Sequence, residues 1–267
     1  MISSLFTKAR NLIYQVLYGM DKMLKRKAEI IILCYHSIAS DDWKYSVSEE
    51  VFIQQIVYLS ENFNLISLED ISHYLLGKKN ITKPCAVITF DDGYKNLLSI
   101  RNVIKKYNIK PAFFILSESL SVDFKELGTS MKFLNSSDVN ILCNEGWILG
   151  CHSATHPDFW NLKPSEIARE VRKSKENLES KLKRKVHFFA YPKGRYTPAV
   201  LKEVENAGYL LAFSMDDAKI DLSSNVFTLP RIGVDKTHTL KQFKATISPS
   251  VILFRSLVKR TPLFRFI

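Results

Sequence analysis

Cys85-Ala86-Val87-Ile88-Thr89-Phe90-Asp91-Asp92-Gly93 is the stretch of this 267-residue chain that says most about its fold. An apolar run followed by two adjacent carboxylates is typical of a buried parallel strand that ends in a functional loop. Adjacent acids repel each other, and a bound cation would let both stay ionised. Asp-Asp-Gly is also ordinary turn chemistry, because Asp bonds its own backbone and Gly accepts a positive φ. The stretch alone leaves both interpretations open.

A second motif strengthens the metal interpretation. His152-Ser153-Ala154-Thr155-His156-Pro157 follows another strand-like run, from Trp147 to Gly150. Two histidines four residues apart can turn toward one point, and imidazole is a favoured ligand of zinc and related metals. A histidine pair alone is a weak signal. Here the histidine pair and the Asp pair each follow a predicted strand, so together they predict one shared metal site.

These motifs resemble the first two motifs of the polysaccharide deacetylases, also called the NodB-homology or carbohydrate esterase family 4 domain. The third family motif is recognisable as Phe188-Phe189-Ala190-Tyr191-Pro192-Lys193-Gly194. The similarity runs from about Ile30 to about Val234, with the motifs in the family's order. The resemblance implies an α/β fold, a distorted (β/α)7 barrel of the NodB-homology type. It also implies a metal-dependent hydrolase that removes N-acetyl groups from an N-acetylated sugar in a polysaccharide or lipid-linked glycan.

The resemblance assigns roles to the acids and the histidines. Asp92, His152 and His156 would be three protein ligands of a divalent metal, leaving positions open for water and the substrate carbonyl. Zn²⁺ is the preferred ion, with Co²⁺, Ni²⁺ and Mn²⁺ as alternatives. The metal would polarise the amide and lower the pKa of bound water from about 15.7 toward 7. Asp91 would be the general base that takes the proton from this water.

Amide cleavage also needs an acid for the leaving amine, and the sequence offers two histidines. Most family members carry this histidine near the C-terminal end of the domain, where the chain has only His238, in a polar loop. At the other end, the apolar run from Ile30 to Tyr35 leads into His36, which resembles the start of the circularly permuted poly-N-acetylglucosamine deacetylase branch. In that branch the histidine after the first strand is the acid, so we expect His36 to be catalytic. Without the resemblance, His36 could equally be a strand-end histidine bonded to a backbone carbonyl.

One position departs from the family's pattern. Many members carry in the third motif an Arg that orients the catalytic Asp, and the aligned residue here is Ala190. The permuted branch often lacks this Arg too. We expect Arg231 to reach Asp91 from another strand end, with Arg195 as a second candidate.

The third motif itself is expected to contact the substrate. Backbone N–H groups that point at a developing oxyanion are a common catalytic device. The candidate oxyanion and substrate residues are Tyr191, Pro192 and Lys193, and the N–H of Lys193 is the preferred donor.

The rest of the chain predicts one α/β domain. With 46% hydrophobic composition, 267 residues can bury one sizeable core, and barrels of this length are routinely one domain. Strand-like runs alternate with amphipathic helical patterns, which argues for βα units and a parallel sheet. The runs lie near Ile30, Leu65, Cys85, Ala112, Trp147, Val186, Tyr209 and Phe227. Barrel enzymes place their sites at the C-terminal ends of strands, where the motif residues would all fall.

The net charge of +11 is concentrated at the chain ends. Residues 1–29 carry six basic and two acidic side chains, and residues 251–267 carry four basic and no acidic ones. Both segments are also rich in large apolar residues. We therefore divide the chain into a basic amphipathic segment 1–29, a deacetylase domain 30–250 and a basic apolar segment 251–267. Basic amphipathic segments lie in membrane interfaces, although these two could instead pack on the barrel with their charges in solvent.

Neither end has the roughly 20 apolar residues that a membrane span needs. Lys8, Arg10 and Gln15 interrupt the apolar core that a secretory signal would require. We expect a cytoplasmic protein, peripheral on the inner face of the membrane, with an N-acetylated glycan as substrate and an anionic membrane surface as partner. Residues 163–195 carry eleven basic and four acidic side chains, but without aromatic or motif context no nucleic acid is expected to bind.

Two other functions remain open. The same metal site could serve an O-acetyl esterase or an amidase of non-sugar substrates, because motifs fix the hydrolytic chemistry better than they fix the contents of the cleft. A non-catalytic glycan-binding or membrane-binding protein with a decayed site is the third possibility. The retained acids and histidines argue against decay, and Ala190 is its only support.

Overall fold

The structure, a computed structural model, describes residues 2–26, 29–122 and 127–259. Its strands are β1 Ile30–Tyr35, β2 Ser37–Ile38, β3 Ser46–Val47, β4 Asn64–Leu65, β5 Cys85–Phe90, β6 Ala112–Ile115, β7 Ile148–Cys151, β8 Phe188–Ala190, β9 Leu211–Phe213 and β10 Ile232–Gly233. Its α-helices are α1 Ile2–Met23, α2 Glu49–Asn62, α3 Leu68–Leu75, α4 Arg101–Lys106, α5 Ser136–Asn144, α6 Pro164–Ala168, α7 Ser174–Leu182, α8 Pro198–Asn206, α9 Leu240–Thr246 and α10 Pro249–Val258. A π-helical turn, Arg169–Lys173, joins α6 to α7.

The main sheet is parallel, in the order β10-β1-β5-β6-β7-β8-β9, and β4 pairs with β5 beside this path. The short segment 229–233 connects β9 with β1. Leu229 pairs with Phe213 of β9, and Ile232 pairs with Leu33 of β1. The sheet therefore curls back toward its own start, as predicted for a distorted barrel, and the carboxyl ends of its strands meet at one rim.

The central strands are buried on both faces. Every residue of β1 and of β5 is buried, as expected for a parallel sheet covered by helices. The helices begin at side chains that satisfy their first N–H groups, as at Ser48 and Ser67. Before α5, Asn135 and Asp138 form a reciprocal capping box.

The predicted strand near Phe227 is wrong. The Asn225 side chain accepts a hydrogen bond from the Phe227 N–H at 2.8 Å, which folds these residues into a turn. Pro230 then removes a donor from the backbone. The chain makes a single bridge at Leu229, and its last strand, β10, forms only after Pro230.

The N-terminal helix lies against the end of the chain. Tyr14 is buried and meets Phe254 edge-on, with 6.2 Å between the ring centroids. Asp21 accepts hydrogen bonds from the N–H and the hydroxyl of Ser250 at 2.8 and 2.7 Å. Residues 2–23 of the predicted basic amphipathic segment form this helix. The side chain of Leu5 and residues 260–267, which belong to the two predicted basic segments, lie outside what the structure describes.

Within the described ranges, α1 and the other helices are too short or too polar to cross a membrane.

Candidate active site

The carboxyl ends of β1, β5 and β7 bring the motif side chains to one cavity of about 470 Å³. We call it the catalytic cavity. Its described lining residues are His36, Trp43, Tyr45, Asp91, Asp92, Leu127, His152, His156, Lys193, Gly194, Arg195 and Met215. The two sequence motifs that were predicted to meet therefore face the same space.

Asp92, His152 and His156 form a compact cluster that could hold a metal. The Nε2 atoms of His152 and His156 lie 3.4 and 3.7 Å from the same oxygen, Oδ1 of Asp92. This oxygen is buried and has no hydrogen-bond partner among the described residues. Ligands about 2.0–2.2 Å from a tetrahedral zinc ion lie roughly 3.3 Å from each other. The donor set and its spacing thus fit a divalent metal.

The backbone around the cluster has positive φ angles, which residues other than glycine rarely adopt. Asp92, Ser153 and His156 have φ values of +68°, +74° and +63°. Positive φ in non-glycine residues is uncommon and is concentrated at functional sites, where the surrounding structure holds it. Gly93 also has a positive φ, and a Cβ there would lie 2.6 Å from Cγ2 of Ile115. The tight turn after β5 therefore requires glycine at this position.

The orientation of His152 is set by the third motif. Its Nδ1 lies 2.7 Å from the carbonyl oxygen of Ala190. A protonated Nδ1 that donates to this carbonyl leaves the Nε2 lone pair directed at Asp92, the usual arrangement of a metal-ligating histidine. Burial lowers the pKa of His152 to about 3, so the imidazole is neutral at physiological pH. Ala190 thus contributes through its backbone, where the family's usual Arg would contribute a side chain.

A buried acid shapes the histidine loop. Glu170 accepts hydrogen bonds from the N–H groups of Ala154 and Thr155 at 2.8 and 2.9 Å, and from the Thr155 hydroxyl at 2.9 Å. Ser153 Oγ accepts from the His156 N–H at 3.0 Å. Sequence reasoning missed Glu170, because it lies in a strongly charged helical run where nothing distinguishes it from its exposed neighbours.

Asp91 has a different environment from that of Asp92. Arg231 donates from Nη1 to Oδ1 and from Nη2 to Oδ2 of Asp91, both at 2.7 Å. The guanidinium is buried, with its carbon 5.3 and 5.9 Å from the ring centroids of Phe114 and Phe213. Burial alone would raise the pKa of Asp91, but Arg231, followed by His152, lowers it far below the usual range. Asp91 is therefore ionised at any physiological pH.

The second candidate partner of Asp91 lies elsewhere. Arg195 lines the catalytic cavity and pairs with Asp158 at 3.0 Å. It is 58% exposed, whereas Arg231 is fully buried. The structure therefore brings Arg231, and not Arg195, to Asp91.

Cys34 contacts Asp91, and this contact was not predicted from the sequence. Its thiol donates to Oδ2 of Asp91 at 3.3 Å. Side chains alternate between the two faces of a strand, so Cys34 and His36, two residues apart, lie on the same face. This spacing could have predicted the contact. Cys34, His36 and Asp91 also lie close enough to suggest a second metal group. Because Arg231 already binds both oxygens of Asp91, we do not assign a metal there.

His36 stands at the wall of the cavity. A ring nitrogen of His36 lies within 4.8 Å of the Asp91 carboxylate. The Tyr45 ring packs on one side at 5.0 Å, and the Trp43 ring meets His36 edge-on at 6.1 Å. His238, the alternative acid, pairs with Asp235 at 2.9 Å and does not line the described catalytic cavity. Geometry thus favours His36 over His238.

The third-motif residues divide into two groups. Lys193 lines the catalytic cavity and has a φ of +57°. Tyr191 and Pro192 are buried and are not part of the described cavity wall. The Tyr191 hydroxyl donates to the Phe227 carbonyl at 2.9 Å, and its N–H donates to the Phe213 carbonyl at 3.0 Å. Both hydrogen-bond donors of Tyr191 are therefore used within the protein.

Comparison with known proteins extends these observations. The family model described as polysaccharide deacetylase matches residues 78–212. YxkH, a putative polysaccharide deacetylase of Bacillus subtilis, is 25% identical over 225 residues, which cover 84% of this chain and 77% of YxkH. The poly-β-1,6-N-acetyl-D-glucosamine N-deacetylase of Staphylococcus aureus is 27% identical over 240 residues, which cover 82% of this chain and 79% of that enzyme.

Solved structures share the fold. IcaB from Ammonifex degensii superposes with a TM-score of 0.71 at 21% identity, covering 82% of this chain and 97% of IcaB. The deacetylase PplD of Streptococcus pyogenes superposes with a TM-score of 0.70 at 22% identity, covering 84% of this chain and all of PplD. These likenesses confirm the predicted type of α/β barrel.

Proposed function

Because this chain belongs to the polysaccharide deacetylase family, whose model matches residues 78–212, we propose that it is a metal-dependent hydrolase that removes N-acetyl groups from an N-acetylated sugar in a polysaccharide or lipid-linked glycan. One observation carries the metal dependence: two imidazole Nε2 atoms face the same buried oxygen of Asp92 at 3.4 and 3.7 Å. The N-acetyl specificity is supported by the Staphylococcus aureus relative, which is named an N-deacetylase.

In this proposal Asp92, His152 and His156 hold a divalent ion. Zn²⁺ is preferred because nitrogen and carboxylate donors suit it, with Co²⁺, Ni²⁺ and Mn²⁺ as alternatives. The ion would act as a Lewis acid that polarises the substrate carbonyl and makes water more acidic. The neutral state of His152 supports the assignment, since a ligand needs its lone pair.

The remaining groups move protons. Asp91, kept ionised and fixed in orientation by the bidentate contact with Arg231, accepts a proton from the attacking water. His36, on the cavity wall within 4.8 Å of Asp91, donates a proton to the leaving amine. Lys193, also on this wall, is the proposed oxyanion donor through its backbone N–H.

The test is acetate release. The protein is stripped with a chelator, reloaded with each candidate ion and offered N-acetylhexosamine oligomers and O-acetylated sugars in parallel. We expect the N-acetyl substrates to be cleaved only by the reloaded protein. Cleavage of O-acetyl esters alone would favour the esterase alternative. Absence of acetate from both classes, with a stoichiometric metal bound, would favour a non-catalytic binding protein.

We further propose that residues 1–29 and 251–267 attach the deacetylase domain, residues 30–250, to an anionic membrane surface. The α1 stripe consists of Leu12, Val16, Met20 and Met23, which lie on the side of α1 opposite buried Tyr14 and are 67%, 56%, 49% and 77% exposed. Exposed Lys8, Lys22, Lys25 and Arg26 flank it. An amphipathic helix with this combination gains from apolar burial and from anionic lipid.

Vesicle sedimentation tests the membrane proposal. Replacing Leu12, Val16 and Met20 together by Ser removes most of the α1 stripe, and we expect at least about tenfold weaker binding to phosphatidylserine-containing vesicles. Leu210→Ser is the matched control, because Leu210 is 49% exposed but lies outside α1. Equal sedimentation of the triple variant and the unmodified protein would contradict the proposal.

A further inference from the structure

The loop that joins His152 to His156 carries both histidines of the candidate metal cluster on an unusual backbone. Ser153 has a φ of +74° and His156 one of +63°. A positive φ is unfavourable for a residue with a side chain, and it persists only where the surrounding structure holds it. The positions of both imidazole groups therefore depend on the contacts that the rest of the protein makes with this loop.

The carbonyl groups of the loop are bound by the chain that follows β6. The Ser117 N–H donates to the Ser153 carbonyl at 3.1 Å, and the Glu118 N–H donates to the Ala154 carbonyl at 3.0 Å. These bonds extend the pairing of β6 with β7 beyond the ends of both strands. They leave the N–H groups of Ala154 and Thr155 to be satisfied by another acceptor.

Glu170 is that acceptor. Its Oε2 accepts hydrogen bonds from the N–H groups of Ala154 and Thr155, and its Oε1 accepts one from the Thr155 hydroxyl. Glu170 is only 4% exposed. A buried carboxylate is costly unless hydrogen bonds satisfy it, and here three donors of one short loop do so. The carboxylate and the loop therefore fix each other in place.

The backbone of Glu170 is held by the π-helical turn that joins α6 to α7. The Ser174 N–H donates to the carbonyl of Arg169, five residues before it, and the Ser174 hydroxyl donates to the Glu170 carbonyl at 2.7 Å. The same hydroxyl oxygen lies 3.2 Å from Sγ of Cys151, the residue before His152. π-Helical turns are rare and occur frequently at functional sites. This turn joins the backbone of Glu170 to the end of β7, next to the first histidine.

We propose that Glu170 is a positioning residue of the metal site, because its carboxylate holds the loop in the conformation that brings the two imidazole groups to Asp92. This inference rests on the proposed metal-dependent function and deepens it. Glu170 acts through the loop and is not itself a proposed ligand. Groups that orient metal ligands in this way typically contribute about 10- to 100-fold in metal affinity. The loss of Glu170 should therefore appear in the Kd of the metal.

Metal affinity tests the proposal without turnover. The protein is stripped of metal, and Zn²⁺ is titrated in competition with a chelator of known affinity. We expect Glu170→Ala to raise the Kd of Zn²⁺ about 10- to 100-fold, because the loop loses three hydrogen bonds. Glu170→Gln should restore most of the affinity. Its amide oxygen can accept from both N–H groups, and its amide nitrogen can donate to the hydroxyl oxygen of Thr155.

Asp70→Ala is the matched control. Asp70 accepts hydrogen bonds from the N–H and the hydroxyl of Ser67, both at 2.9 Å, and from Nζ of Lys79 at 2.5 Å. Its replacement thus also removes three hydrogen bonds, but in α3 and outside the described wall of the catalytic cavity. Chemical denaturation of the metal-free proteins measures what each replacement costs the fold. We expect both variants to be less stable and only Glu170→Ala to bind Zn²⁺ more weakly.

A milder variant serves if Glu170→Ala does not fold. Thr155→Val removes only the hydroxyl contact with Glu170 and should raise the Kd of Zn²⁺ about threefold, the size of one hydrogen bond. Thr155→Ser keeps the hydroxyl and should leave the Kd unchanged. Equal Kd values for Thr155→Val and Thr155→Ser would contradict the proposal.

The outcomes separate this inference from the proposed function. An unchanged Kd in folded Glu170→Ala, or an equal rise in Asp70→Ala, would overturn the inference and leave the proposed function standing. Stoichiometric Zn²⁺ without acetate release from any acetylated sugar, in the unmodified protein, would overturn the proposed function. In that case, weaker Zn²⁺ binding by Glu170→Ala alone would still support the positioning role of Glu170.

Discussion

The two sides of the catalytic cavity balance buried charge in opposite ways. On one side Arg231 neutralises Asp91 with two hydrogen bonds of 2.7 Å. On the other, Asp92 is just as buried, at 3% exposure, yet no arginine or lysine contacts it in the described ranges. The pKa of Asp91 is held far below its usual range, whereas burial and the charge of Asp91 raise that of Asp92 to about 6. Among the described residues, Arg231 neutralises the charge of Asp91, whereas a bound cation would be needed to neutralise that of Asp92.

Backbone geometry explains how adjacent residues acquire such different surroundings. Asp91 continues the sheet, since its N–H donates to the Tyr35 carbonyl at 2.8 Å. Asp92 turns out of the sheet with a φ of +68°, which directs its carboxylate to the histidine loop. A positive φ is unfavourable for Asp, but less so than for most side chains. The turn thus separates a candidate base from a candidate metal ligand by a single peptide bond.

The largest expected effect comes from removing the proposed metal ligands on the Asp92 side, compared with removing the proposed base on the Asp91 side. Asp92→Ala and His152→Ala should each abolish stoichiometric metal binding and reduce acetate release to background. Asp91→Asn should keep the metal and lose roughly 10²- to 10⁴-fold in kcat, the usual contribution of a positioned base. Elemental analysis of the purified proteins, together with the acetate assay, measures both. Stoichiometric metal in Asp92→Ala would contradict the proposed ligands.

The second test sharpens the role of the Asp91 side by changing the leaving group. An amine leaves poorly without a proton, whereas an activated ester leaves unaided. His36→Ala should therefore lose roughly 10²- to 10⁴-fold on an N-acetyl substrate and much less on an aryl acetate. His238→Ala is the control, because His238 does not line the described catalytic cavity. Equal losses of His36→Ala on amide and ester would indicate a structural role for His36.

The sequence predicted the residues that lie in contiguous motifs at strand ends. Asp91, Asp92, His152 and His156 could be placed together because the carboxyl ends of neighbouring parallel strands share one rim. Arg231 could be named only as a candidate, since its approach depends on how residues 229–233 bridge β9 and β1.

Contacts made through distant or ordinary residues could not be predicted. Glu170 is one acid among many charges in its helical run, and only the folded loop shows that it binds Ala154 and Thr155. The packing of α1 against α10, where Tyr14 meets Phe254, could not be predicted either, because amphipathic patterns leave the partner of a helix open. By contrast, the wrong strand near Phe227 had a warning in the sequence, because Asn225 and Pro230 both favour turns.

A third test breaks the balance on the Asp91 side. Arg231→Met leaves a buried carboxylate without its partner, and we expect a loss of about 3–5 kcal/mol in the free energy of unfolding. Adding Asp91→Leu to Arg231→Met should restore most of this stability, since it removes the uncompensated charge. Arg195→Met, which breaks an exposed ion pair, is the control and should cost less than about 1 kcal/mol. Chemical denaturation measures all three, and similar losses for Arg231→Met and Arg195→Met would contradict the assignment.

The smallest effect should appear as the pH dependence of metal binding on the Asp92 side. A metal binds the ionised carboxylate, and the metal-free pKa of Asp92 is about 6. Protons therefore compete below pH 6, where the apparent Kd should rise about tenfold per pH unit through this group, and they cease to compete above it. His152, with a pKa of about 3, adds no proton competition in this range. Because the charge of Asp91 helps to raise the pKa of Asp92, Asp91→Asn should shift the onset of competition to lower pH. Metal titrations from pH 5 to 8 with a competing chelator would show this shift, and an onset at the same pH in both proteins would mean that the two carboxylates do not interact as the structure indicates.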